Sequence, residues 1–573
     1  VISGALLRPA DVVNLRAMTR HVHGPTVLER GVRFSLWAPA LEHVRVRIDG
    51  REHPLERSGD GWWQAEVPGA RVGDRYSFVL PDGRSLPDPA SARQPDGVHG
   101  PSQVWDPGRH AWRHGFGGLP LEELVFYELH LGTFTGPGTL DAATDRLGDL
   151  AELGVTCVEL MPVQPFPGER NWGYDGVSLR AVHEGYGGPD ALQRFVDAAH
   201  GHGLAVCLDV VYNHLGPEGN YLPAFGPYFT NRHRSPWGDG IDYDGPASAP
   251  VRAFAIDAAL RWVRDFRLDA LRLDAVHAIA DDGERHLVGA LADAVATFAR
   301  ESGRRIHVVA ESDLEDRKVV DPPPAGWGCA AMWSDDFHHA VHALVTGERD
   351  AFLVDFGGVE PLARALARGF SFAGEPSRYR GKPWGTGTEG LAPARFVFCA
   401  QNHDQVGNRP LGERLTALVP RAALEPVATL MALGSGLPLL FMGEEYGEER
   451  PFLYFTSHSD PQLAKAVSEG RTSEHIAGSG PGREIPDPQA PATFERSKLT
   501  HRRDGWHGAL REHYRAMLAL RRRHARRLGS DWPRVAVDGA SVRLVRPGLE
   551  VAVNLSARAQ GALPPWGWSV REG

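Results

Sequence analysis

Eight short apolar runs limit the architectures open to this chain more than any other feature. They cover residues 125–130, 155–161, 205–211, 268–277, 305–311, 329–333, 396–401 and 438–442. Each has the length of a strand, and several carry apolar residues on both faces, as strands buried in a parallel sheet do. Helical spacing fills several intervals, over 140–153, 189–200, 251–266, 287–300 and 424–433. Pro189 opens one of these helices at a first-turn position where its missing N–H costs nothing. Strands alternating with helices predict an α/β fold, a (β/α)8 TIM barrel with insertions. A doubly wound open sheet is the alternative. No Gly-x-Gly-x-x-Gly follows the first strand, which weakens it.

The flanks read differently. Residues 1–26 are taken as an N-terminal extension. From 27 to 105, short alternating runs (31–37, 43–48, 73–79 and the Trp62-Trp63 pair) between Gly/Pro/Asp turns predict a β-sandwich of the carbohydrate-binding kind, with 88–107 as a turn-rich linker. The barrel is expected to occupy 106–508. Two aperiodic segments inside it, 216–250 and 455–508, are long enough to be functional loops. A basic helix over 509–523 and short strands at 535–537, 542–545 and 551–554 make up a C-terminal β domain, 509–573. The basic run 521–527 reads as a solvated helix end.

Bulk properties exclude several classes. A net charge of -10 over 573 residues disfavours nucleic acid and anionic membranes as partners. No apolar run approaches the roughly 20 residues of a membrane span, and no secretory leader pattern opens the chain, so a cytoplasmic location is expected. The four cysteines, Cys157, Cys207, Cys329 and Cys399, show no CxxC spacing. They are expected to be buried thiols, not metal ligands or disulfides. No cofactor and no required metal are expected.

In a barrel, catalytic residues sit at the C-terminal ends of the strands. Asp209 closes the third run, Arg272 and Asp274 the fourth, Glu311 the fifth, and His403 and Asp404 follow the seventh. Alone, Arg272 and Asp274 fit either a structural ion pair or an active site, since residues two apart share a strand face. Four strands each ending in a carboxylate favour the site. Clustered carboxylates without a serine triad suit glycosyl transfer, which needs an ionised nucleophile and a protonated acid roughly 5–5.5 Å apart when configuration is retained. Arg272 beside Asp274 favours the ionised form. Glu311 follows apolar residues and has no basic sequence neighbour, which favours the protonated one. Asp404 is placed to bind sugar hydroxyls and steady an oxocarbenium-like transition state.

Four stretches, Asp209-Val-Val-Tyr-Asn-His214, Leu271-Arg-Leu-Asp-Ala-Val-His277, Ala310-Glu311 and Asn402-His-Asp404, resemble the ordered signature regions of the α-amylase superfamily of glycoside hydrolases. The resemblance covers nearly the whole chain. It implies Asp274 as nucleophile, Glu311 as general acid/base and Asp404 as transition-state stabiliser. It places His214, Arg272 and His403 around the attacked glucose, with Tyr174 stacked on that sugar. Asp209 is open to two readings, a sugar contact or a brace for Arg272. His214 and His277 read either as sugar ligands or as ordinary loop histidines.

Finer features are similar to the maltooligosyltrehalose trehalohydrolase family. They are Gln94-Pro-Asp-Gly-Val-His-Gly-Pro-Ser102, Met161-Pro-Val-Gln-Pro-Phe-Pro167, Trp333-Ser-Asp-Asp-Phe-His-His339, Ala400-Gln-Asn-His-Asp-Gln-Val-Gly-Asn-Arg409 and Phe441-Met-Gly-Glu-Glu-Tyr446. That similarity implies retaining hydrolysis of the α-1,4 bond next to a terminal trehalose, and so trehalose formation from maltooligosyltrehalose, with related α-glucans and water as the other partners. Asp336, Phe337, His338, Gln405, Asn408 and Arg409 join the expected substrate-binding set. Trp172, Trp237 and Phe337 are candidate stacking rings, each open to a packing role instead. Asn213 matches a position that helps hold calcium in some amylases, but no carboxylate-rich loop accompanies it. Branching and debranching enzymes are the alternatives. A non-catalytic sugar-binding homologue is disfavoured because all three carboxylates are present.

Overall fold

The computed structural model describes residues 22–235, 238–475 and 484–573. Most of the expected N-terminal extension, and Trp237, lie outside them.

The N-terminal β-sandwich forms from two antiparallel sheets. One orders Thr26–Leu28, Gly31–Trp37, Trp62–Pro68 and Glu56–Gly59; the other orders Arg51–Pro54, Arg45–Ile48, Arg75–Val79 and Ser85–Leu86. Alternation decides the faces. Val32, Phe34, Val46, Tyr76 and Phe78 point inward and are buried, while Arg33 points out and pairs with Glu66. The turn-rich stretch after Asp88 is not a free linker. Ser102–Gln103 pairs with Arg75–Val79, and the Tyr76 hydroxyl donates to Asp88 at 2.7 Å. Arg93 then reaches the next domain through Glu184 and Asp190.

Eight parallel strands close into the barrel: β1 Phe126–Leu129, β2 Cys157–Leu160, β3 Ala205–Val210, β4 Ala270–Leu273, β5 His307–Ala310, β6 Ala331–Trp333, β7 Phe396–Cys399 and β8 Leu437–Phe441. β1 pairs with β8, with Phe126 opposite Leu439, which completes the ring. The lower interior is apolar, filled by Phe126, Cys157, Cys207, Ala270, Val309 and Leu439. All four cysteines are buried and free. Above this plug the interior turns polar. Glu128 stands opposite Glu159, and Asp209 opposite Arg272.

Several expectations need correction. The 140–153 segment is two helices, Leu140–Thr144 and Leu147–Leu153. Thr144 bonds back to the Leu140 carbonyl at 2.9 Å, a contact that bends helices, while the apolar stripe of Leu140, Leu147 and Leu150 remains buried. The 216–250 loop contains a helical turn, Leu222–Phe225, and a hairpin of Phe229–Ser235 with Gly238–Ile241. The helix expected over 509–523 runs Gly505–Ser530. Arg521, read as part of a solvated end, is buried and donates to the carbonyls of Ala432 (2.9 Å) and Gly436 (2.6 Å) just before β8. The C-terminal sheet has a fourth strand, Trp568–Glu572, beyond the three read from sequence. Among the described residues, no helix is long and apolar enough to cross a membrane.

Candidate active site

Arg272 organises the polar end of the barrel. It lies on β4 and is fully buried, with its guanidinium stacked 4.3 Å from the Trp333 ring of β6. Its Nη1 donates to Asp209 (2.7 Å) and to Asp274 (2.8 Å). Its Nη2 lies 2.9 Å from Glu311 Oε2, close enough for charge attraction but off the line of a hydrogen bond. Three carboxylates from β3, β4 and β5 thus converge on one cation. Holding Asp274 and Glu311 on the same guanidinium suits the short separation of a retaining pair.

β4 ends at Leu273, so Asp274 starts the following loop. Ala275 next to it takes a left-handed conformation, φ 38°, strained for a residue with a Cβ and of a kind that clusters at functional sites. The turn aims the Ala275 N–H at Glu311 Oε2, 2.6 Å away. Asn213, which follows β3, donates to the Asp274 carboxylate at 2.7 Å and to its carbonyl at 2.8 Å. Its amide is therefore engaged with Asp274.

The carboxylates differ in their surroundings. Burial, together with the nearby Asp274 and Asp404, pushes Glu311 up to about 8 against the pull of Arg272. Glu311 is therefore protonated at neutral pH. Asp209 is also pushed up by burial, to about 6, with Arg272 holding it down. It is 1% exposed and accepts from both Arg272 and the Tyr174 hydroxyl (2.6 Å). That settles its two readings in favour of the brace, and its place as a direct sugar ligand is corrected.

His403 sits between Glu128 Oε1 at Nδ1 (2.5 Å) and the Tyr174 hydroxyl at Nε2 (2.7 Å). Tyr174 donates its single proton to Asp209, so Nε2 must donate to Tyr174. Nδ1 faces a carboxylate, so it donates too. His403 is an imidazolium. Burial opposes this charge, but Glu128 and Asp404 outweigh it and raise the ring to about 10. The Tyr174 ring stacks on His403, with centroids 5.1 Å apart. Asp404, half-exposed, is steadied by the Asn408 amide at 3.1 Å.

The other expected ligands divide. His214 bonds the Tyr174 carbonyl (2.9 Å) and the Asn213 side chain. His277, Asp336 and Gln405 line a cavity of about 300 Å3 that also borders Glu311 and Trp333. Asp336 is buried, and burial raises its carboxyl, as it does that of the neighbouring Glu315. Phe337 is corrected. It is fully buried and stacks on Phe398 of β7 at 4.8 Å, with no ring face left for a sugar. His338 is also buried, beside His342, and does not line that cavity. Successive helical residues face different ways, so Asp335, Asp336 and His339 reach the cavity while these two do not. Arg409 is held by Glu348 through two 2.9 Å bonds and by Glu413. Trp172 is packing as well, buried against Phe452 with its N–H on the Leu453 carbonyl.

Glu128 is not singled out by the sequence reading. The signal for Glu128 was a carboxylate inside a strand whose other residues are all apolar or aromatic and all buried. Such a charge must be paired.

Comparison with known proteins agrees with this geometry. Residues 97–234 match the model of the alpha amylase catalytic domain, and 22–89 that of carbohydrate-binding module 48, the isoamylase N-terminal domain. A malto-oligosyltrehalose trehalohydrolase of Rhizobium sp. (strain M-11) is 45% identical, covering 92% of this chain and 91% of its own. One from Arthrobacter ramosus is 46% identical, covering 89% and 90%. A crystal structure described as a putative alpha amylase from Salmonella typhimurium superposes with a TM-score of 0.89 at 41% identity, covering 96% of this chain and 99% of that one. A branching enzyme from Nitratidesulfovibrio vulgaris aligns with only 47% of the chain, at 36% identity. With that identity sustained over nearly its whole length, and the carboxylate-ringed barrel described above, the chain belongs to the malto-oligosyltrehalose trehalohydrolase family of α-amylase-type glycoside hydrolases.

Proposed function

We propose that this enzyme hydrolyses the α-1,4 bond next to the terminal trehalose of maltooligosyltrehalose by double displacement, with retention. Asp274 attacks the anomeric carbon while Glu311 protonates the leaving oxygen. The C1–O4 bond breaks, trehalose departs, and the maltooligosyl chain is held as an ester on Asp274. Water then gives its proton to the Glu311 carboxylate and attacks the same carbon, the ester bond to Asp274 breaks, and the chain leaves with a free reducing end while Asp274 returns to carboxylate. Asp404 faces the sugar opposite Asp274 and offsets the positive charge of the transition state. Tyr174, backed by the His403 imidazolium, carries the ring face. His214, His277, Gln405 and Asn408 complete the substrate contacts.

The observation that carries this reading is the contrast between two carboxylates on one guanidinium. Asp274 receives hydrogen bonds on both oxygens, from Arg272 and Asn213. Glu311 is raised to about 8 by burial. A carboxylate held by two donors beside a protonated acid is the pair that a retaining mechanism uses.

The cavity is bordered by Glu311, the residue that would protonate the leaving group. Its walls carry Glu315, Asp335, Asp336, Asp355 and Arg380, polar groups that suit a small disaccharide with many hydroxyls. At about 300 Å3 it sits at the lower end of ligand-pocket sizes. The reading therefore places trehalose there and the maltooligosyl chain on the other side. Supplying purified enzyme with maltotriosyltrehalose, amylose and glycogen tests it. Trehalose from the first alone supports the proposal; new α-1,6 branches, or linear chains freed from glycogen, would replace it with a branching or debranching activity.

A further inference from the structure

Asp404 is held by its own segment. Its carboxylate is half-exposed and accepts from the Asn408 amide, four residues on, at 3.1 Å. Where it points therefore depends on the placement of the short helix His403–Gly407 and of the Asn408-Arg409 turn that follows. A helix of five residues is not stable on its own, so its ends need outside partners. The first end has them. Asn402 accepts from the Gln405 N–H at 2.8 Å, and Glu128 accepts from the His403 N–H at 2.9 Å.

The far end is gripped by two residues distant in sequence. The last carbonyls of a helix have no partner inside it. Arg471 supplies one: its Nη2 donates to the carbonyls of Gly407 (2.7 Å) and Arg409 (3.2 Å). Arg471 is buried, with its guanidinium 5.4 Å from the Tyr454 ring. It belongs to the helix Pro461–His475, inside the long 455–508 segment. The second grip is Glu348. The two Nη atoms of Arg409 donate to its two oxygens, each at 2.9 Å. Glu348 is tied in turn to the helix Asp335–Thr346 that follows β6. His342 Nε2 lies 2.8 Å from its carboxylate, and its N–H donates to the Thr346 hydroxyl at 3.1 Å. Hydrogen bonds from His342 and Arg409 hold the Glu348 carboxyl well below the usual carboxylate range.

An ion pair this near the surface adds little stability, but a two-pronged arginine–carboxylate pair fixes direction as well as distance. None of Glu348, Arg409 and Arg471 lines the cavity beside Glu311. We infer that Glu348 and Arg471 are positioning residues for Asp404. They act through the Arg409 side chain and the Gly407 and Arg409 carbonyls. Together these hold the turn that carries Asn408, and with it the Asp404 carboxylate. The inference rests on the proposed role of Asp404 in the transition state. A displacement of about 1 Å caused by a distant change costs about a hundredfold in rate. Because Asp404 acts on the transition state, the loss falls on kcat and not on KM.

Steady-state kinetics of the full-length enzyme on maltotriosyltrehalose tests this. Glu348→Gln and Arg471→Met should each lower kcat about ten- to a hundredfold, with KM within about twofold of the parent. Arg409→Gln should match Glu348→Gln, and the two changes together should be no worse than either alone. Arg409→Lys keeps one contact with Glu348 and should recover part of the loss. In the Asp404→Asn background, Glu348→Gln and Arg471→Met should each cost less than about twofold further, whereas a merely structural role would cost the same in both backgrounds. Circular dichroism checks folding. If Arg471→Met does not fold, Arg471→Lys should show a smaller kcat loss at the same KM. Unchanged kcat in Glu348→Gln or in the folded Arg471 variant overturns the inference. So does an Arg409→Gln enzyme whose KM rises at constant kcat, which would make Arg409 a sugar ligand. An Asp404→Asn enzyme as active as the parent would remove the proposed role of Asp404 and the clamp together. Losses that persist beside an impaired Asp404→Asn remove the clamp alone.

Discussion

Asp274 and Glu311 share Arg272, and burial pushes Glu311 into the neutral range. The Ala275 N–H bonded to Glu311 favours the charged form, and burial overrides it. The consequence for activity has a definite sign. Glu311 must hold its proton to release the leaving group, so kcat/KM should fall as pH rises through about 8. A pH profile whose alkaline limb begins near 5 would contradict this. Asp274→Asn and Glu311→Gln should each lower kcat by about a thousandfold or more, some 4 kcal/mol of barrier. Substantial residual turnover in either purified variant would reassign the roles. Glu128 acts through another residue. Glu128→Leu strips the buried His403 imidazolium of its counter-charge, and denaturant unfolding should show a loss of about 3–5 kcal/mol.

Much of the element pattern is legible in sequence because buried parallel strands are nearly continuous apolar runs. The strand read over 205–211 is observed as Ala205–Val210, and that over 396–401 as Phe396–Cys399. The strand ends set the site, so Asp209, Arg272, Asp274, Glu311 and Asp404 could be placed before any coordinates. What was hidden depended on side-chain direction and distant partners. Phe337 sits one residue from Asp336 in sequence but on another face of the helix. Arg521 looked solvated within a basic run because nothing local marks the two carbonyls it serves. Removing it should expose that difference. Arg521→Leu leaves the Ala432 and Gly436 carbonyls buried without a donor, at about 1–3 kcal/mol each. Thermal unfolding should fall by several degrees while kcat at 25 °C is unchanged. A variant as stable as the parent would return Arg521 to the solvated reading.

At the scale of the whole molecule, the polar end of the barrel ties stability to pH. His403 is raised in the folded state to about 10. Its contribution is fully present below about 6.5 and is lost as pH rises through 10. Glu311 is raised from 4.5 to about 8, so its buried neutral form favours folding fully below about 4.5, and that advantage is lost progressively until pH passes 8. His403 therefore predicts a melting temperature that declines from pH 7 to 10, with a smaller decline in His403→Gln, while Glu311 adds to the decline only up to about pH 8. The barrel also joins the two ends of the chain. The sandwich reaches it through Arg93, and the Gly505–Ser530 helix through Arg521. The central claim, retaining release of trehalose, is tested most directly by following maltotriosyltrehalose hydrolysis with proton NMR. Free trehalose should appear together with maltotriose whose new reducing end is first the α-anomer and only later mutarotates. Maltotriose appearing first as the β-anomer, or products without trehalose, would contradict the account.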